Sequence, residues 1–190
     1  KVEAAELPIA ESRAFDFSSP YAVSKAAQEN LAALYEKLGL ECVVARPFNH
    51  IGPGQQPGFL VPDLCKQIVE LEKDAGRDVL KVGNLTSKRD FTDVRDVVAA
   101  YELLMDKGRT GGVYNVCSGR SVSGQRVLDT LLGMSTKQIR VEEDPARMRP
   151  SDIPDLYGDF TKLHADTGWE RTYALKDTLR DTLEYWRAQV

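Results

Sequence analysis

Two short apolar runs constrain the fold of this chain more than any other feature of its sequence. They occupy residues 41–46, which end at Pro47, and residues 113–117. Neighbouring rather than alternate residues are apolar in both runs, which is typical of strands buried on both faces of a parallel sheet. Parallel strands need crossover connections, usually helices, so the sequence predicts an α/β fold.

Helical patterns fill most of the sequence around these runs. The first predicted helix begins at Pro20, with Ser19 as its N-cap, and ends before Gly39 at about Leu38. Its apolar residues recur at helical spacing, which predicts a stripe that faces the core. The stripe consists of Val23, Ala27, Leu31, Leu34 and Leu38.

The rest of the sequence alternates between helical and strand-like patterns. Helices are predicted at about 63–73, 93–107, 124–132, 160–167 and 175–188, strands at 79–82 and 138–142, and a loop at 47–62. The helix at 93–107 is predicted to be capped by Thr92 and to turn Val94, Val97, Val98, Tyr101 and Met105 inward. Two core strands are few for a doubly wound sheet, so the sequence indicates part of such a sheet.

Composition argues against several classes of function. The 190 residues are 42% hydrophobic, which suffices for one sizeable core or two small lobes. Lys and Arg are scattered, the net charge is −4 and no window approaches ~18 apolar residues, so we expect neither a nucleic-acid partner nor a membrane span. The polar N-terminus is unlike a signal peptide and lacks a starting Met, so we expect it to lie inside a longer protein. Three dispersed cysteines predict no metal site and a reducing cytoplasm.

Tyr21 and Lys25 are the first candidate catalytic residues. They are four residues apart on the first predicted helix, so they share a face, away from the leucine stripe. A phenol has a reference pKa of about 10, and a nearby ammonium favours its ionised form. Such a pair can exchange a proton with a hydroxyl or carbonyl group. From the pair alone, an ordinary solvated helix face is the simpler interpretation.

Three further motifs accompany this pair, and together they identify a family. The four segments are SPYAVSKAAQE at 19–29, ARPFNHIGPG at 45–54, VGNLTSKRDFTDVRDVV at 82–98 and DPARMRPSDIP at 144–154. In this order they resemble the extended short-chain dehydrogenase/reductases, also called the NAD-dependent epimerase/dehydratase family, over nearly the whole chain. The second segment looks most like that of GDP-4-keto-6-deoxymannose reductases and GDP-mannose 4,6-dehydratases.

The resemblance implies a role for each residue of the first two motifs. Tyr21 would be the catalytic acid/base, and Lys25 would hold the nicotinamide ribose, so both would also contact the cofactor. Pro47 and Phe48 would lie beside the nicotinamide, and Asn49 would contact the sugar nucleotide. The location agrees with a general rule, because ligands of parallel α/β sheets bind beyond the carboxyl ends of strands. Loop hydrogen bonding remains the alternative for Asn49 and for His50.

The last two motifs imply a site for the substrate nucleotide. By resemblance, Arg89 and Arg149 would bind the diphosphate, and Asp152 would bind a ribose hydroxyl. Guanidinium groups form bidentate bonds to phosphate oxygens, and a carboxylate accepts from hydroxyls. Each residue alone could equally form a surface ion pair, which is our interpretation of Arg95 and Arg147.

Three aspartates of the third motif have a simpler interpretation. Asp90, Asp93 and Asp96 lie at the start of a predicted helix, where the helix dipole favours carboxylates. We interpret them as structural.

No glycine-rich dinucleotide fingerprint and no P-loop occurs in the sequence. The family's fingerprint and its catalytic Ser/Thr would precede Lys1, so the choice between NAD and NADP is open. We expect these 190 residues alone to be inactive.

The sequence therefore predicts the C-terminal part of a Rossmann-type parallel-sheet domain plus a small α/β substrate-binding lobe. Residues 1–56 and 86–120 would form the nucleotide-binding part, and residues 57–85 and 121–190 the lobe. The favoured activity of the intact protein is NAD(P)H-dependent reduction of a GDP-4-keto-6-deoxy sugar in GDP-deoxyhexose synthesis, by a cytoplasmic homodimer. A 4,6-dehydratase, a 4-epimerase and a non-catalytic remnant that binds sugar nucleotides are the alternatives.

Overall fold

The computed structural model describes residues 3–148 and 153–190, and in these strands alternate with helices. The helices are α1 (Pro20–Lys37), α2 (Leu60–Lys73), α3 (Val94–Lys107), α4 (Gly124–Leu132), α5 (Thr161–Thr167) and α6 (Leu175–Gln189). The strands are β1 (Val44–Pro47), β2 (Asn49–Ile51), β3 (Val79–Val82), β4 (Lys88–Asp93), β5 (Val113–Val116), β6 (Ser121–Ser123), β7 (Arg140–Glu143) and β8 (Asp155–Leu156). Short 3₁₀ helices occur at Ala4–Glu6 and Pro145–Arg147. Among the described residues, no helix has the length and apolar character needed to cross a membrane.

The two predicted core strands pair with each other. β1 and β5 are parallel, with Val44 opposite Val113 and Pro47 opposite Val116. This pairing agrees with the predicted parallel strands of an α/β fold. β3 and β7 form a second parallel pair, close to the predicted positions of both strands.

A third sheet, centred on β4, was not predicted. β4 pairs in parallel with β2 and β8 and antiparallel with β6. The prediction of one continuous loop at 47–62 is wrong, because β2 and the first turn of α2 lie inside it. Strands of two or three residues carry too little pattern to be recognised, and here their pairing with β4 defines them.

The ends of α1 agree with the prediction, but its buried face does not. The Ser19 hydroxyl accepts a hydrogen bond from the Ala22 amide at 3.1 Å, and Gly39 has a φ of +95°. Ala26 is the buried residue of the helix, and it faces away from the leucine stripe. The prediction of a core-facing stripe is wrong for the described residues, since all five of its members are exposed.

The predicted cap and inward face of α3 also need correction. Asp93, not Thr92, caps the helix, since its carboxylate accepts from the Arg95 amide at 2.8 Å. Val97 is buried as predicted, together with Ala100 and Leu104. The other predicted positions differ: Val94 is half-buried, and Val98, Tyr101 and Met105 are exposed. The Asp96 carboxylate fixes this rotation, because it accepts from the amides of Thr172 and Tyr173 at 2.9 and 3.1 Å.

Two apolar clusters stabilise the fold. The larger one joins α2, α4 and α6 to β3, and the smaller one joins α3, α5 and β5 around Tyr114 and Trp169. Cys65 belongs to the larger cluster, where burial raises the pKa of its thiol to about 12. That burial agrees with cysteine acting as a small apolar residue.

The three aspartates of the third motif bind backbone and side-chain donors from distant segments. Asp90 is fully buried and accepts from the amides of Ser118, Gly119 and Gly158 at 2.7, 3.1 and 3.3 Å. Burial raises the pKa of Asp93, but hydrogen bonds from Arg95 and Thr178 outweigh that effect, so its pKa lies below the ordinary value. These bonds confirm the structural interpretation, but the prediction that Asp90 lies at the start of a helix is wrong, because Asp90 lies within β4.

We expect Asp90→Ala to lower the free energy of unfolding by about 3 kcal/mol, because three amides, two of them in buried residues, would lose their acceptor. Urea denaturation followed by circular dichroism measures this. Lys88→Ala, on an exposed position of the same strand, is the control and should change stability by less than about 0.5 kcal/mol. Equal midpoints for Asp90→Ala and the wild type would contradict the account.

Candidate functional site

An open cleft of about 1190 Å³ lies between α1, the segment after β1, and β4. The candidate residues that line it are Tyr21, Lys25, Pro47, Phe48, Asn49 and Arg89. The structure therefore brings together candidates from three separate motifs. Arg149 and Asp152 lie outside the described residues.

Tyr21 and Lys25 project into this cleft from the first two turns of α1. The Ser19 cap and Pro20 fix the start of the helix, so Tyr21 is its second residue. The tyrosine is 69% exposed, and the Lys25 ammonium lies 5.6 Å from the centre of its ring. Lys25 donates to Gln28 Oε1 at 3.2 Å, and no carboxylate of the described residues lies within ion-pair distance of it. An accessible phenol beside an ammonium can transfer a proton to a bound molecule.

Pro47 and Phe48 form an apolar wall where β1 ends. The Phe48 amide donates to the Val116 carbonyl at 2.9 Å, which extends the pairing of β1 with β5 by one bond. The Phe48 ring lies against Gly158, where an added Cβ would come within 2.6 Å of the ring and 2.7 Å of Cys117 Sγ. The position of this wall therefore depends on the absence of a side chain at Gly158.

Asn49 and His50 follow directly and make loop hydrogen bonds. Asn49 Nδ2 donates to the Asp90 carbonyl at 3.2 Å, and His50 Nδ1 lies 3.3 Å from the Phe48 carbonyl. Gln55 Nε2 donates to the His50 carbonyl at 3.2 Å. Both Asn49 and His50 are exposed and line the cleft. A part in ligand contact is therefore compatible with their loop bonds.

Arg89 lines the cleft from β4. Its Nη1 donates to the carbonyls of Lys88 and Ile153 at 2.7 and 2.9 Å. Burial lowers the pKa of its guanidinium, and the Asp155 carboxylate acts in the opposite direction. Successive residues of a strand face opposite sides, so Arg89 and Phe91 face the cleft while Asp90 faces the buried amides.

Sequence reasoning missed a group of residues that fix the walls of the cleft. Arg46 on β1 binds both carboxylate oxygens of Glu29 on α1, at 2.8 and 2.7 Å. The amide of Asn115 on β5 donates to Glu11 Oε1 at 2.8 Å, and the Asn115 side chain donates to the Ile9 carbonyl at 2.9 Å. One available signal was the spacing of Glu29, four residues after Lys25 on the same helix face.

Comparison with known proteins identifies related sequences. The family model described as GDP-mannose 4,6 dehydratase matches residues 3–182. The chain is 38% identical over 191 residues to GDP-6-deoxy-D-mannose reductase of Pseudomonas aeruginosa, covering 100% of this chain and 63% of that protein. It is 32% identical over 143 residues to GDP-6-deoxy-D-talose 4-dehydrogenase of Aggregatibacter actinomycetemcomitans, covering 75% of this chain and 47% of that protein. The chain thus spans less than two thirds of the length of either relative.

Solved structures resemble the fold over most of the chain. The structure of RMD from Pseudomonas aeruginosa complexed with NADPH matches with a TM-score of 0.95 and 36% identity, over 100% of this chain and 63% of that one. UDP-glucuronic acid 4-epimerase from Bacillus cereus, in complex with UDP-glucuronic acid and NAD, matches with a TM-score of 0.78 and 26% identity, over 90% of this chain and 54% of that one. The predicted α/β fold with a Rossmann-type part is confirmed by these likenesses.

Proposed function

The chain belongs to the GDP-mannose 4,6 dehydratase family, within the extended short-chain dehydrogenase/reductases, and from that premise we propose that the full-length protein reduces the C4 carbonyl of a GDP-4-keto-6-deoxy sugar with NADPH. The observation that carries the proposal is the presence of Tyr21 and Lys25 in one cleft with Pro47, Phe48 and Asn49. The similarity to the Pseudomonas aeruginosa reductase over the whole chain favours a reductase.

The residues of the cleft fit a nicotinamide cofactor. The Lys25 ammonium has no carboxylate partner among the described residues and can therefore hold the ribose hydroxyls. Pro47 and Phe48 offer an apolar wall beside which the nicotinamide ring would lie. When bound, NADPH supplies the hydride for C4. NADPH is favoured over NADH by the cofactor bound in the related Pseudomonas aeruginosa structure.

Tyr21 supplies the proton in this proposal. As C4 is reduced, its carbonyl oxygen becomes an alkoxide, and the exposed phenol donates its proton to that oxygen. The Lys25 ammonium stabilises the phenolate that remains. Asn49 would orient the sugar, whereas Arg89, Arg149 and Asp152 would bind the nucleotide portion.

A 4,6-dehydratase or a 4-epimerase is the second candidate. The matching family model is described as a dehydratase, and dTDP-glucose 4,6-dehydratase of Streptomyces niveus is 29% identical over 90% of the chain. In both alternatives C4 is oxidised first, so Tyr21 would accept a proton before donating one. Neither alternative consumes NADPH in net terms, which separates them from the reductase.

The two-part division predicted from the sequence remains part of the proposal. The larger apolar cluster supports it, because α2 and β3 pack there with α4 and α6. α5 departs from the division, since it packs against α3 and β5. These contacts favour a boundary near residue 160, with α5 assigned to the nucleotide-binding part.

The exposed stripe of α1 supports a homodimer. Val23, Leu31, Leu34 and Leu38 are all at least half exposed and lie on the face opposite Lys25. A second copy of the chain that covers this stripe would remove apolar surface from water without obstructing the cleft. A reducing cytoplasm is the compartment we propose, supported by the free state of all three cysteines.

We expect Tyr21→Phe to reduce kcat of the full-length protein about 10²–10⁴-fold, because the change removes the proton donor and keeps the ring. Steady-state kinetics with a GDP-4-keto-6-deoxy sugar measure the loss, and calorimetry should find sugar-nucleotide binding nearly unchanged. Tyr35→Phe is the matched control, since Tyr35 is 52% exposed on the same helix and does not line the cleft. A normal kcat for Tyr21→Phe would exclude the proposed proton transfer.

We expect Leu34→Glu to convert a dimer of the full-length protein into a monomer, because it places a charge in the apolar contact. Sedimentation equilibrium gives the mass of each species. Lys37→Glu, on the same helix but outside the stripe, should leave the mass unchanged. A wild-type monomer, or a Leu34→Glu dimer of unchanged affinity, would argue against this interface.

A further inference from the structure

The Glu29 carboxylate binds one cation of the cleft, Arg46, and follows a second cation, Lys25, by one turn of the same helix. Tyr21, Lys25 and Glu29 follow one another at intervals of four residues on α1, so their side chains lie along one side of the helix. Residues spaced in this way can form a lysine–glutamate ion pair, although the order with lysine first is the weaker of the two. Arg46 on β1 binds the same carboxylate, and all three charged residues line the cleft. The site therefore requires a choice between two partners for one carboxylate.

Arg46 binds both oxygens of the Glu29 carboxylate. Its Nε donates to Glu29 Oε1 at 2.8 Å and its Nη2 to Oε2 at 2.7 Å, with 24% and 19% of the two side chains exposed. A two-point, charge-assisted contact of this kind is stronger than an exposed ion pair between residues on neighbouring turns of one helix. Lys25 is left with Gln28 and the Tyr21 ring as partners.

Other contacts hold the Arg46 guanidinium in place. Its Nη1 donates to the Glu11 carbonyl at 2.9 Å, and its central carbon lies 5.0 Å from the centre of the Phe15 ring. Arg46 also immediately precedes Pro47, where β1 ends at the cleft. Two segments, the one before α1 and β1 itself, therefore fix the group that binds Glu29.

We propose that Arg46 is a positioning residue that holds the Glu29 carboxylate away from Lys25 and so keeps the Lys25 ammonium available to Tyr21 and to the cofactor ribose. The proposal rests on the function proposed above, because it supposes that Lys25 binds the cofactor. Without the arginine, Glu29 would remain half-buried with an unpaired charge. Lys25, one helical turn away on the same helix, is the cation it could then reach.

A double-mutant cycle in the full-length protein, which removes the charges of Arg46 and Glu29 singly and together, tests the proposed role of Arg46. NADPH affinity is measured by fluorescence titration without substrate for Arg46→Gln, Glu29→Gln and the double variant. We expect Arg46→Gln to weaken binding about three- to tenfold, because Glu29 then competes for Lys25 in a partly buried setting. Glu29→Gln alone should stay within about twofold of the wild type, and the double variant should return to that range. Recovery in the double variant is the result that a purely structural clamp does not predict.

If the double variant binds NADPH as weakly as Arg46→Gln, or more weakly, the proposal is wrong and Arg46 acts only as a clamp. Arg46→Lys keeps the charge and replaces Arg46→Gln if the latter does not fold. Its smaller loss of NADPH affinity should again be recovered by Glu29→Gln.

A crystal structure of the arginine variant without cofactor gives a second readout. Glu29 should lie within 4 Å of the Lys25 ammonium, and a wider separation contradicts the proposal. A wild-type protein that binds neither NADPH nor NADH would instead refute the proposed function, and the crystallographic distance would still decide the part played by Arg46.

Discussion

The buried carboxylate of Asp90 holds together the part of the molecule on which the cleft depends. It accepts hydrogen bonds from amides of the segment after β5 and from the Gly158 amide. Its strand, β4, pairs with β2, β6 and β8. A carboxylate is costly to bury, and hydrogen bonds from several amides offset that cost only when all of the donors are in place. The same strand presents Arg89 and Phe91 to the cleft on its opposite face. The wall that β4 forms is therefore positioned by a polar contact on the face of the strand that points away from the cleft.

The other walls are fixed by contacts of the same kind. Arg46 joins α1 to β1, and Asn115 joins β5 to the segment before α1. These bonds place the Tyr21–Lys25 turn opposite the apolar wall of Pro47 and Phe48. Proton transfer between a phenol and a sugar oxygen requires hydrogen-bond distance, so small shifts of α1 relative to β1 would be felt directly in the chemistry. The polar contacts at the base of α1 and β5 therefore help to set the distance between the proton donor and the sugar oxygen in the proposed reaction.

Local signals made α1, α4, α5, α6 and the paired strands β1 and β5 predictable from the sequence. Ser19, Pro20 and Gly39 specify where α1 begins and ends without help from the rest of the chain. The strands β2, β6 and β8 were not predictable, because three residues or fewer become a strand only through pairing with β4. The exposed faces of α1 and α3 were misassigned, since periodicity shows an apolar face but not what covers it.

Part of the candidate site was predictable for a different reason. Motif resemblance placed Tyr21, Lys25, Pro47, Phe48, Asn49 and Arg89, and the fold brings them to one cleft. The Arg46–Glu29 pair was not predicted, because its two residues are separated by 17 positions and meet only when α1 packs on β1.

The proposed reduction of a 4-keto sugar nucleotide in this cleft can be followed by isotope transfer. The full-length protein is incubated with GDP-4-keto-6-deoxymannose and NADPH deuterated at the transferable position of the nicotinamide, and the product is examined by mass spectrometry and NMR. We expect a GDP-6-deoxyhexose with deuterium at C4 and one NADPH oxidised for each product molecule. A product without deuterium at C4, or conversion of GDP-mannose to a 4-keto sugar with no net oxidation of NADPH, would contradict it.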